Sequence, residues 1–280
     1  MAPPDPDRRR ILRGLFVAAT ALLAGCGETD RTTPEPAPPP NETGATATDA
    51  FGPGPEGDET PIANDTAPPP TGTAVPNDVV FSKPGGGEVA GTMYGGGDCA
   101  VVLVPQVDMD RQSWDQYGKH LAERGYRALA IDEGEDRKAA GVEGAVRFLR
   151  NTVGVTTVIV VGASTGGEAA VRAAVDRPES VDGVVTISAA GGQDVAGQLT
   201  MPTLFVVSEA DAQRFVTTAE ALVDGAPGET ELITLEGDAH GQHLFQSPHA
   251  EMLRTRIDRF VEAVCLPAKP TPTGTGTTSP

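Results

Sequence analysis

The stretch that most constrains this chain is Val155–Arg172, reading VTTVIVVGASTGGEAAVR. Val158–Ile159–Val160–Val161 is an unbroken apolar, β-branched run, the pattern of a strand buried on both faces. After Gly166–Gly167, the residues Glu168–Arg172 read as a helix. Between strand and helix lies Gly162–Ala163–Ser164–Thr165–Gly166, which fits G-x-S-x-G. A strand that turns sharply into a helix around such a serine holds it strained at the tip of the turn. Glycines two residues before and after it avoid a side-chain collision across that turn. The helix also points the positive end of its dipole at the place where negative charge develops in acyl transfer. Gly and Ser are common, so a chance strand-turn-helix is the bland alternative. The strand before and the helix after are the context that marks a nucleophile elbow.

Around this stretch there is room for one compact domain. Of 280 residues, 25 are Pro and 34 are Gly, many of them before residue 78 and after residue 266. Residues 1–25 read as an export signal outside the fold. Arg8–Arg9–Arg10–Ile11–Leu12 resembles a twin-arginine signal, and Leu23–Ala24–Gly25–Cys26 resembles a lipobox, in which Cys26 becomes the lipidated first residue. A transmembrane anchor is the rival, but Ile11–Ala24 is too short for about 30 Å of hydrocarbon and contains Arg13. Residues 26–77 are rich in Pro, Thr, Ala, Gly and acid, with few large apolar residues, and are expected to be a disordered tether. At about 40 Å end to end, it would hold residues 78–266 off a membrane. Asn41 and Asn64 each begin an N-x-T glycosylation pattern. Residues 267–280 share the tether's composition and are expected to be disordered too.

The formal net charge is −18, and removing the four arginines and two aspartates of residues 1–25 takes it to −20. Nucleic acid and anionic lipid surfaces are therefore poor partners for the domain. Only Lys83, Lys119, Lys138 and Lys269 are lysine, and acidic excess with scarce lysine resembles proteins of extreme halophiles. A high-GC genome produces the same scarcity. Asp108, Asp110 and the acidic run 132–136 read as solvated surface, with no oxygen-ligand spacing for a metal. Gly95–Gly96–Gly97 lacks the helix that would make it a phosphate cradle, so no cofactor is implied.

Strand and helix patterns alternate along the domain. A hairpin (Val79–Phe81, Glu88–Tyr94) leads to strand Ala100–Val104, helix Ser113–Arg124, strand Tyr126–Ile131 and helix Lys138–Thr152. Beyond the elbow come strands Val181–Ile187 and Pro202–Val207, helix Ala212–Leu222, strand Glu231–Leu235 and helix His249–Val264. Continuous apolar strands alternating with helices mean an α/β protein, a mainly parallel, doubly wound sheet.

From Glu88 to Val264 the chain resembles the α/β-hydrolase family. The resemblance rests on the elbow, on the buried strand Ala100–Val104 with its loop and Trp-led helix, and on Gly125–Asp132. Many members carry His-Gly after that strand, where this chain has Pro105–Gln106. Many also insert a helical lid where this chain has only Ala189–Met201, so it is closer to the minimal, dienelactone-hydrolase-like members. The resemblance implies a triad in the chain order Ser, acid, His. Asp211, in Ser208–Glu209–Ala210–Asp211, matches the acid, with Glu209 in reserve; the bland alternative is a cap on the next helix. His240, in Gly237–Asp238–Ala239–His240–Gly241, matches the base, whereas His120, His243 and His249 read as surface, packing or substrate-contact residues. It further implies an oxyanion hole formed by the backbone N–H of Thr165 and that of Val107, with Gln106 the alternative.

By the same resemblance, the last helix packs on the sheet face that carries the helix after the Cys99 strand. Cys99 and Cys265 would then meet at the end of the sheet opposite the elbow, within the roughly 4.4–6.8 Å Cα separation of a disulfide. Two buried thiols are the alternative. The function expected is a lidless serine hydrolase outside the cytoplasm, lipid-anchored to the cell membrane and acting on a small-molecule or cell-envelope ester. Its competitor is a catalytically silent domain of the same fold that binds at the cell surface.

Overall fold

The computed structural model describes residues 76–132 and 138–266. The signal at 1–25, Cys26, nearly all of the tether with Asn41 and Asn64, and the tail from 267 lie outside the described residues.

An eight-stranded sheet is the frame. Its strands are β1 (Asn77–Ser82), β2 (Glu88–Gly95), β3 (Cys99–Val104), β4 (Arg127–Ile131), β5 (Thr157–Ala163), β6 (Gly183–Ile187), β7 (Thr203–Ser208) and β8 (Thr230–Leu235). They lie in the order β1-β2-β4-β3-β5-β6-β7-β8. β2 runs antiparallel to both β1 and β4, and all other pairs are parallel. The helices are α1 (Asp115–Glu123), α2 (Lys138–Phe148), α3 (Thr165–Asp176), α4 (Gln213–Gly225) and α5 (Ala250–Cys265).

The uninterrupted valines of the central strands have somewhere to go on both faces. Ala100, Val102, Val104, Val158 and Val160 pack with α2 and α3 on one face, while Val101, Leu103, Ile159 and Val161 pack with α1 and α5 on the other. All nine are fully buried. At about 1.5–3 kcal/mol per buried large aliphatic side chain, this two-sided burial is what makes the centre of the sheet a rigid platform.

The helices differ from their sequence patterns at the ends, most of all α1, α2 and α3. The segment before α1 is a 3-10 turn, Arg111–Trp114, in which Asp110 Oδ1 accepts from the Gln112 amide at 3.0 Å. Arg111 is held to Asp132 by its amide (3.0 Å) and its guanidinium, so Asp132 is an ion-pair partner here and not a solvated surface acid. α2 ends in a π-helical turn, Leu149–Val153, closed where the left-handed Gly154 (φ 85°) donates to Leu149 O at 2.9 Å. α3 begins at Thr165 and not at Glu168, for a reason that belongs to the site.

The chain order reverses across the sheet between β3 and β5, the switch point at which parallel sheets open a crevice beyond the carboxyl ends of their strands. The loops after β3, β5, β6, β7 and β8 converge there. Between β6 and β7 the connection holds one short 3-10 turn, Gln193–Gln198, and no lid domain. At the opposite edge, Cys99 at the start of β3 and Cys265 at the end of α5 form a disulfide with Cα atoms 5.8 Å apart.

Candidate active site

Ser164 stands between β5 and α3 at φ 49° and ψ −114°, a conformation that costs a non-glycine residue on the order of 1–3 kcal/mol. The neighbours hold it there: its N–H donates to Ile187 O (2.9 Å), and its carbonyl accepts from Glu168 (3.1 Å) and Ala190 (3.0 Å). A Cβ on Gly162 would lie 2.2 Å from the Gly166 carbonyl oxygen, and one on Gly166 would lie 2.4 Å from the Pro105 carbonyl oxygen. Both positions therefore admit only glycine, and the second brings the loop after β3 against the first turn of α3. This explains the early start of α3: Gly166–Gly167 is its first turn, bare so that the neighbouring loop can approach.

Three strand-end loops bring together Ser164, His240 and Asp211. His240 Nε2 is 2.9 Å from Ser164 Oγ, and His240 Nδ1 is 2.9 Å and 3.1 Å from the two Asp211 carboxylate oxygens. A carboxylate only accepts, so the Nδ1 proton points at Asp211 and the Nε2 lone pair is left facing the serine hydroxyl. Asp211 is 8% exposed and also accepts from the Ala212 amide at 2.8 Å, which orients its carboxylate. Glu209, the reserve acid, is exposed, and among the described residues His240 Nδ1 bonds Asp211 and not Glu209. The Phe215 ring lies 4.1 Å from the His240 ring, covering one face of the imidazole.

The two expected oxyanion donors are backbone amides at these loops. Thr165 N–H is at the first position of α3, where a helix supplies no acceptor. Among the described residues no hydrogen bond engages the Val107 amide, and Val107 is half exposed. Gln106, the alternative donor, is ruled out. Its N–H donates to Gln242 Oε1 at 2.9 Å, buried between two loops, and is not free for a substrate.

The other histidines lie elsewhere. His120 pairs with Asp258 at 2.7 Å on the α1–α5 face, His243 is exposed, and His249 stands half-buried before α5. Among the described residues, no group of three or more His, Cys, Asp or Glu is placed to hold a metal ion.

Several supporting residues had no local signature. Ser188, fully buried at φ 52°, accepts from the Gly241 amide (3.2 Å), and Ser208 Oγ donates to Ala239 O (2.5 Å). Gln106 Oε1 accepts from the Gln242 amide (2.8 Å). Residues 239, 241 and 242 are thus each held at the end of a different strand, β7, β6 and β3, which suspends His240 between them. Gln106 was expected only as an alternative oxyanion donor and Gln242 had no expected role, because their partnership spans 136 positions.

Known proteins show the family of the chain. Residues 100–246, just over half of the chain, match the alpha/beta hydrolase family. A Pseudomonas 2-hydroxy-6-oxononadienedioate/2-hydroxy-6-oxononatrienedioate hydrolase is 26% identical over 193 residues, 63% of this chain and 56% of that protein, so the match spans little more than half of the relative's length. Among solved structures, dienelactone hydrolase from Anabaena variabilis superposes with a TM-score of 0.58 at 22% identity, over 67% of this chain and 98% of its own. An esterase from Pyrococcus furiosus gives 0.58 at 14% identity, over 72% and 95%. With the strand order, the switch-point crevice and the strained serine already described, the conclusion is direct: this chain belongs to the α/β-hydrolase family.

Proposed function

We propose that this protein is a lidless serine hydrolase of carboxylic esters, working through an acyl-enzyme. The observation that carries the reading is the unbroken line of hydrogen bonds from Asp211 through His240 to Ser164 Oγ, each link 2.9 Å at its shortest. Ser164 Oγ attacks the ester carbonyl carbon while His240 Nε2 takes its proton. The carbonyl oxygen becomes an oxyanion received by the Thr165 and Val107 amides. Collapse expels the alcohol, which takes the proton back from His240 and leaves the acyl group on Ser164. Water then repeats the sequence: His240 accepts its proton, the hydroxide oxygen adds to the acyl carbon, and the acid departs as the proton returns to Ser164. Asp211 keeps the Nδ1 proton in place and stabilises the imidazolium at each stage.

The ester class is proposed from the triad and the relatives, not from a cavity: the one of about 380 Å³ beside the α1–α5 face is lined by residues such as Met109, Trp114, Tyr117 and Phe245 and by none of Ser164, Asp211 or His240. The relatives with hydrolase, esterase and lipase names agree with this class.

The location is proposed from residues 1–26. The twin-arginine pattern and the lipobox support export followed by lipidation at Cys26, so that the domain acts outside the cytoplasm on the surface of the cell membrane. The scarce lysine and net charge of −18 support a halophilic, haloarchaeal source. Mass spectrometry of the mature protein checks the anchor: an unmodified Cys26 counts decisively against it.

A fluorophosphonate probe tests the chemistry, because only an activated serine reacts with it. Ser164 is expected to carry the label. Ser164→Ala, Asp211→Asn and His240→Ala are each expected to lower turnover of a short-chain ester by about 10³-fold or more without unfolding the domain, with double variants little worse than Ser164→Ala. Full activity in purified Ser164→Ala would sink the mechanism. A wild-type protein that takes no label and turns over no ester, lactone or thioester would be the silent binding domain instead.

A further inference from the structure

The proposed reaction needs two loops to stay in register: the one after β3, which carries the Val107 amide, and the one after β8, which carries His240. A pair of glutamines joins them. Gln106 N–H donates to Gln242 Oε1 at 2.9 Å, and Gln242 N–H donates to Gln106 Oε1 at 2.8 Å, closing a ring of two bonds. Each side-chain oxygen faces a backbone donor, so the orientation of both amides is determined by their partners. The remaining Gln242 Nε2 donates to Ser113 Oγ at 2.8 Å, and Ser113 in turn donates to Asp110 O at 2.5 Å, which extends the tie into the 3-10 turn before α1. Both glutamines are buried, at 8% and 5% exposure. Gly241, between His240 and Gln242, sits at φ 56°, and a Cβ there would lie 2.3 Å from Gln106 Oε1, so the Gln106 side chain fills the space that a side chain at 241 would need.

Gln106 immediately precedes Val107, and Gln242 follows His240 by two residues. Among the described residues neither glutamine side chain bonds Ser164, His240 or Asp211. We propose that Gln242 is a positioning residue that, through its reciprocal pair with Gln106, sets the distance between the oxyanion amide of Val107 and the His240 base. The proposal rests on the serine-hydrolase reading above. The pair ties the loop after β3 to a loop 136 residues away and so supplies the rigidity that the oxyanion turn needs. A displacement of about 1 Å at such a site costs about 10²-fold in rate. A pair that merely satisfied buried polar groups would alter stability and leave the rate alone.

Gln242→Met keeps the length of the side chain and removes both its acceptor and its donor. On a short-chain p-nitrophenyl ester, well below the melting transition, kcat is expected to fall about 10–10²-fold with KM within about threefold. Inhibition by a trifluoromethyl ketone, whose adduct on Ser164 places an oxyanion where the Val107 amide would receive it, is expected to weaken by a similar factor. Gln106→Met removes only the reciprocal bond, leaves the Gln106 amide paired, and is expected to lose less. The double variant is expected to lose little more than Gln242→Met, because the two act as a unit. Unchanged kcat in folded Gln242→Met overturns the proposal whatever its melting temperature. Should that variant fail to fold, unchanged kcat in Gln106→Met overturns it. Fluorophosphonate labelling of the wild-type protein separates this from the reading beneath it. No label on Ser164 sinks the hydrolase reading, whereas a labelled wild type with fully active variants sinks only the positioning role.

Discussion

Ser164 is strained, and the residues two before and two after it have no side chain because none would fit. Gly162→Ala would force a Cβ to within 2.2 Å of the Gly166 carbonyl, a clash with backbone that no rotamer relieves. The variant is expected to be destabilised by about 1–3 kcal/mol and to lose ester turnover more severely than stability, since relief of the clash moves Ser164 itself. Thermal denaturation beside an esterase assay reads both, and an unchanged melting temperature would mean that the elbow relaxes freely. The sequence patterns named Ser164, Asp211 and His240, and the structure places them within hydrogen-bonding distance. Each follows a strand in a short loop, so position along the chain already predicts position on the sheet edge. Ser188, Gln106 and Gln242 also follow strands, but their partners were not legible, because a serine or glutamine in a loop looks the same whether it faces solvent or another loop.

At the scale of elements, α1 packs on the sheet through Tyr117 and Leu121 and comes closest to it at Gly118, which lies on the Tyr94 ring, where a Cβ would be 2.7 Å from a ring carbon. Burial, with Asp115 beside it, raises the Tyr94 hydroxyl pKa from 10.0 to about 12. A phenol whose folded pKa exceeds its unfolded one contributes stability that is intact below pH 10 and is lost as pH rises towards 12. Tyr117, also raised by burial and Asp258, adds to the same alkaline limb. Loss of ellipticity is therefore expected between about pH 10 and 12, with a shallower limb in Tyr94→Phe. Identical limbs in the two proteins would rule out Tyr94 as a contributor. At the other end of the sheet the Cys99–Cys265 bond joins β3 to α5 across a sequence separation of 166. Closing so long a loop stabilises mainly by restricting the unfolded chain, so the double Ser variant is expected to lose about 2–5 kcal/mol, measured by denaturant melts with and without reductant. A loss no larger than that of an ordinary surface substitution would mean that the unfolded chain is already compact.

For the whole molecule, net charge is the dominant long-range quantity. At −18 the compact state repels itself, and salt shortens the reach of that repulsion from about 10 Å at 0.1 M to about 3 Å at 1 M. The melting temperature is expected to rise across that range of KCl, and calorimetry showing a flat or falling trend would refute it. The same screening leaves a hydrogen-bonded buried line such as Asp211–His240–Ser164 largely untouched, so the per-molecule turnover of the folded enzyme should depend on salt less than its stability does.

What the sequence determined by itself was whatever is local or periodic. The two-sided apolar run of β5 implied a central parallel strand, the glycine spacing implied the elbow, and the order of Ser164, Asp211 and His240 after successive strands implied one crevice. What only the tertiary structure decided was pairing between distant loops. Whether Gln106 offered its amide to a substrate or to Gln242 turned on a contact 136 residues away. Whether α3 began at Thr165 turned on the Pro105 carbonyl lying against Gly166. Hydrophobic periodicity records which face of an element is buried, but hydrogen bonds between loops depend on where the whole sheet delivers their ends, and no local pattern encodes that.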